Sequence, residues 1–102
     1  MKKVVLEKIN SANIKVTNST DYDKVYDIQA NLAVSGTVIN NVQDGVVTLS
    51  ETRKANFYRY DENNLNIQFL TTDETEMCSI VAAVNAFINN CVQAVTNNEF
   101  NV

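Results

Sequence analysis

Short stretches of strand character recur along the chain as far as Leu70, some alternating apolar and polar residues with a period of two, and beyond that point the apolar period becomes helical. The clearest stretch is 26–34, where Tyr26, Ile28, Ala30, Leu32 and Val34 alternate with Asp27, Gln29 and Asn31. Such alternation puts one face of a strand in a core and the other in water. Shorter runs at 4–9 and 14–17 predict two strands around Asn10-Ser11-Ala12-Asn13, and the polar segment 17–24, with Asp21 and Asp23, reads as a loop. Gly36 predicts a bulge or bend, with 37–42 continuing extended. Gln43-Asp44-Gly45 predicts a tight hairpin, since glycine takes positive φ at little cost. Strands at 46–52, 55–60 and 65–70 follow, the last two joined through Asp61-Glu62-Asn63-Asn64. Short connections imply mostly antiparallel pairing.

The start of the helix has two candidate capping boxes, Thr71 with Glu74 and Asp73 with Glu76. The acids Asp73, Glu74 and Glu76 all fall where the helix dipole favours negative charge. At about 100° per residue, Met77, Ile80, Val81, Val84, Phe87, Ile88, Cys91, Val92 and Val95 fill an arc of about 140°. Ser79, Asn85, Asn89, Asn90, Gln93 and Thr96 lie opposite, with Ala82, Ala83, Ala86 and Ala94 mostly between. The expected fold is α+β: a single domain over 1–102, with an antiparallel β-meander of six to seven strands covered by one C-terminal α-helix.

No charged residue occurs from Met77 to Asn98. A soluble domain usually carries Lys and Glu on the outer side of such a helix, so the uncharged side predicts a protein interface built from Ala82, Ala83, Ala86, Asn89, Asn90 and Gln93. The stretch approaches membrane-spanning length, but its Ser, Asn and Gln residues argue against spanning.

Composition narrows the function classes. The net charge is −4, which argues against a dedicated duplex-binding protein, because neutralised phosphates supply most non-specific affinity. The 102 residues include no His, Pro or Trp and only two glycines, while Asn (16), Val (14) and Thr (9) are abundant. Val and Thr favour pleated sheet, and Asn and Asp must serve in the turns. Without histidine the commonest general base and zinc ligand is missing. Two glycines cannot build a phosphate cradle, and Asp21, Asp23 and Asp27 lack the spacing of a calcium loop. No catalytic residue, metal site or cofactor is expected.

Cys78 and Cys91, thirteen apart on one helix, are separated by about 20 Å at about 1.5 Å per residue, too far for a disulfide. They read as free thiols in a reducing compartment. The amino-terminal apolar run ends at Glu7, too short for a signal peptide. Lys2, Lys3, Lys8 and Lys15 give that end a basic character.

Basic and aromatic side chains interleave in Arg53-Lys54-Ala55-Asn56-Phe57-Tyr58-Arg59-Tyr60. Arg53, Lys54, Tyr58, Arg59 and Tyr60 form the alternative contact set, for single-stranded nucleic acid stacked on tyrosines. The leading expectation is a non-catalytic structural subunit, homo-oligomeric or part of a larger assembly, acting through protein–protein contacts. Short length, a sheet rich in Asn, Val and Thr, and no export signal point to a virion component of auxiliary or decoration capsid type. The expected location is the cytoplasm or the virion, with no membrane partner.

Overall fold

The computed structural model describes residues 3–18, 25–61 and 63–98, and the expectations resting on Lys2, on the 19–24 part of the loop with its two aspartates, and on Glu62 lie outside them. The strands are β1 (Val4–Lys8), β2 (Asn13–Asn18), β3 (Asp27–Ser35), β4 (Val38–Leu49), β5 (Thr52–Arg59) and β6 (Leu65–Phe69), followed by the helix α1 (Glu74–Thr96). All six strands form one sheet in chain order, each antiparallel to the next. The expected α+β meander with a C-terminal helix is therefore the fold observed.

The alternation read from the sequence sets the two faces. Val4, Leu6, Ile14, Val16, Ile28, Ala30, Leu32, Val34, Val42, Val47, Ala55 and Phe57 are buried from the sheet, and Ile80, Val84, Phe87, Ile88, Cys91, Ala94 and Val95 from the helix. The helix packs on β4 and reaches the edge strand β1. Its first turn lies beside the start of β5, where Lys54 Nζ stands 3.5 Å from Glu76 Oε1. Asp73 is the N-cap and accepts from the Glu76 N–H, so the second capping frame is the one used. Thr71 instead accepts from the Asp73 N–H through its hydroxyl.

The positions of the second hairpin and the bulge are exchanged relative to expectation. The chain reverses at Gly36-Thr37, a two-residue loop between Ser35 and Val38, with Gly36 at φ 62°. Gln43-Asp44-Gly45 makes no hairpin. It lies inside the twelve-residue β4 as a bulge, shifting the register against both β3 and β5. The reason is parity. Val42 and Val47 are five apart, an odd separation that an ideal strand sends to opposite faces. One extra residue restores both to the core, and Asp44 supplies it at φ 53° with its carboxylate accepting from the Asn31 amide at 3.2 Å. The true β4–β5 turn is Ser50-Glu51, both at positive φ (51° and 67°), a primed hairpin conformation built without glycine. The described residues thus hold six strands, within the expected six to seven.

Gly45 is needed for space. A Cβ there would sit 2.6 Å from ring carbons of Phe57, which packs edge-on to Phe87 with centroids 6.2 Å apart. Thus the bulge glycine seats one aromatic ring and that ring meets the helix. At the other end of the sheet, the Asn18 side-chain oxygen accepts from the Ile28 N–H and ties β2 to β3 across the connecting loop.

Gly45→Ala should destabilise the fold by about 1–3 kcal/mol through overpacking, measured as a lowered urea midpoint. Combining it with Phe57→Leu should cost less than the sum of the single changes. Strict additivity of the pair would contradict the proposed contact.

Candidate functional site

The outer side of α1 carries Cys78, Ser79, Ala82, Asn85, Ala86, Asn89, Gln93 and Thr96, all exposed. Of the residues expected to form an interface, Ala82, Ala86, Asn89 and Gln93 lie on this open side. Ala83 and Asn90 are half-buried, and Ala83 packs against the core. The helix lies deeper on that flank than a symmetric arc implies. On the other flank Val81 and Val92, assigned to the core by their spacing, remain 39% and 40% exposed. The exposed side is therefore more apolar than expected, and it is still uncharged. Asn85 donates from its side-chain amide to the Val81 carbonyl, which leaves that residue fewer hydrogen-bonding demands toward solvent. By length and composition α1 is also apolar enough to cross a membrane, a property shared by core helices, and here one side of it is buried on the sheet.

The basic-aromatic strand does not form one patch. Tyr58 and Tyr60 share the face turned away from the helix, with ring centroids 5.0 Å apart. A second bulge, where Thr48 pairs with Arg53 although Val47 pairs with Ala55, brings Arg53 round to that face. Arg53, Asn56, Tyr58, Tyr60 and Gln68 then line a cleft of about 770 Å³ together with the Gln43–Val46 bulge of β4. Lys54 is instead engaged with Glu76. Arg59 reaches the rim of the cleft, but its position opposite Val42 is on the helix side. There it lines a separate cleft of about 480 Å³ with Val38, Ile39, Asp61, Val92 and Thr96. The strand thus separates its cations from one another. What remains beside the tyrosines is Arg53, with Arg59 shared with the helix-side cleft, several amides and the Asp44 carboxylate.

The contribution of β4 to this cleft was not anticipated. The signal was present in Asp44-Gly45, which suits a bulge as well as a hairpin. Only the odd spacing of Val42 and Val47 distinguishes the two.

The titratable groups are placed structurally. Asp61 accepts from the Asn63 N–H at 2.8 Å and from the Asn64 amide at 2.8 and 2.9 Å, closing the turn before β6. The Asn63 N–H and the Asn64 amide hold its carboxyl below the usual range, with Arg59 adding to the effect. Burial pushes the Cys91 thiol well above its ordinary value, only partly opposed by the charge of Arg59. Cys78 is exposed. Among the described residues no three His, Cys, Asp or Glu side chains come together as metal ligands. No family model, curated protein or solved structure matches this chain.

In the folded protein Cys78 should react with a thiol reagent while Cys91 stays silent until urea is added, giving one modified thiol per native chain by mass spectrometry. Cys91 remains protonated in the native state where an unfolded thiol ionises, above about pH 8.5. Unfolding then releases a proton. Stability should accordingly fall as pH rises past that point, by up to about 1.4 kcal/mol per pH unit from this group, and Cys91→Ala should remove that part of the slope.

Proposed function

We propose that the protein is a non-catalytic assembly subunit that works through protein–protein contacts, its outer helix side being one contact surface. One observation carries this reading. The exposed side of α1 presents Val81, Ala82, Ala86 and Val92 among Asn and Gln, with no charge from Met77 to Asn98, in a chain whose net charge is −4. Small uncharged side chains let a second backbone approach closely, and removing them from water costs little desolvation. A charged surface of the same size would oppose association of like-charged copies. A shell or coat built from repeated subunits is the setting we propose, with an auxiliary or decoration role on a phage capsid as the specific case.

A second reading, binding of unpaired nucleobases, draws on the Tyr58–Tyr60 pair beside Arg53. It is the weaker one, because Lys54 is paired with Glu76 and Arg59 is shared between this cleft and the one on the helix side. Labelled oligo-dT should bind weakly or not at all at low salt. Tight binding abolished by Tyr58→Ala would reverse the ranking.

Ala82→Glu and Ala86→Glu should each lower the mass of the assembly by light scattering while leaving the circular dichroism spectrum and urea midpoint nearly unchanged, since both positions are exposed. Ala83→Glu is the contrasting variant: it should lower the urea midpoint, because Ala83 packs on the core. Normal assembly of both exposed-site variants would reduce the outer helix side to ordinary surface.

A further inference from the structure

The sheet has two edges, and they are treated differently. The β1 edge carries Glu7 and Lys8 on the strand, with Lys3 just before it, the usual protection against stray pairing. The β6 edge has no such residue. From Asn63 to Thr72 the chain contains no charge and no proline. Among the described residues β6 pairs with β5 alone.

The direction of its backbone groups follows from the ladder. Leu70 donates its N–H to the Lys54 carbonyl at 2.8 Å, and Tyr60 donates to the Asn64 carbonyl at 3.3 Å. Antiparallel bonding alternates, so Asn64, Asn66, Gln68 and Leu70 face β5 with their N–H and C=O groups. Those of Leu65, Ile67 and Phe69 point outward, to the open edge. The side chains of the same three residues are half-buried on the helix side of the sheet, and Asn66 and Gln68 are exposed on the other.

We infer that this edge pairs with β6 of a second copy of the chain, antiparallel and centred on Ile67. This rests on the assembly reading and adds a second surface to it. Three arguments favour a second copy as the occupant. First, the outward set is symmetric about Ile67, so a two-fold axis there brings every outward group to a partner: Ile67 to its own equivalent, and Leu65 to Phe69 of the partner subunit. Second, the side chains match themselves. Apolar meets apolar on the helix side, and Asn66 meets Gln68 of the partner subunit on the other, amide against amide. Third, two copies of net charge −4 approach with least repulsion along a charge-free strip. Five residues of strand make a small contact, so the pairing is concentration-dependent and is reinforced where other surfaces also meet.

The register gives the test. Asn66→Lys with Gln68→Lys puts like charges opposite each other in the pair while altering only exposed side chains. It should raise the midpoint concentration of association at least tenfold in sedimentation velocity. Asn66→Lys with Gln68→Glu sets opposite charges across the axis and should restore association. Hydrogen exchange followed by NMR supplies a readout at the backbone: the Ile67 amide should gain protection as concentration rises and lose it in the double-lysine variant. An assembled protein whose Ile67 amide exchanges freely would overturn the edge pairing and leave the helix reading standing. A protein that stays monomeric would overturn both. Ala86→Glu separates the surfaces further, since it should weaken the assembly without abolishing concentration-dependent protection at Ile67.

Discussion

The fold turns on how one aromatic ring is seated. Phe57 leaves β5 toward the helix, lies over the bare backbone of Gly45 and meets Phe87 in an edge-to-face pair. Without the bulge at Asp44, Gly45 and Val47 would point to the solvent side, and the ring would have a side chain beneath it. Without the ring, the helix would lose its aromatic contact with β5. Bulge, glycine and aromatic pair form one packed unit between the sheet and the helix, which also packs on β4 and β1.

Because the helix leans toward one flank, its buried stripe is displaced from the centre of the apolar arc. Ala83 and Asn90 move toward the core, while Val81 and Val92 move toward solvent. Extra apolar surface thereby appears on the outer side, next to alanines and asparagines that carry no charge. The sheet contributes a second uncharged surface at its β6 edge, where half-buried Leu65, Ile67 and Phe69 also hold the outward backbone groups. On the proposed assembly reading, these two weak uncharged surfaces would reinforce one another, each contact alone being modest.

The strands were legible where alternation is unbroken, as in Ile28–Val34 and in the five residues of β6. Legibility failed where an extra residue interrupts the period. Asp44-Gly45 carries the composition of a hairpin, and nothing local separates a turn from a bulge. The long-range fact that decides it is the need for both Val42 and Val47 in one core. Likewise Ser50-Glu51 has none of the residues that mark a primed turn, so its positive φ angles are imposed by the register of the flanking strands. The basic-aromatic segment shows the same limit. Its residues are adjacent in sequence, yet an ion pair removes Lys54, strand parity removes Arg59, and a bulge moves Arg53 onto the tyrosine face. The helix was legible in its cap and its period but not in which flank is covered, because that depends on packing against distant strands: Ala83 and Asn90 are half-buried while Val81 and Val92 stay exposed.

The central claim is that this chain does not act alone. Sedimentation equilibrium of the unaltered protein tests it most directly. The weight-average mass should climb above the 11.4 kDa of a single chain as concentration approaches about 100 μM, within the range of weak specific association. A mass that stays at the single-chain value over that whole range would contradict it.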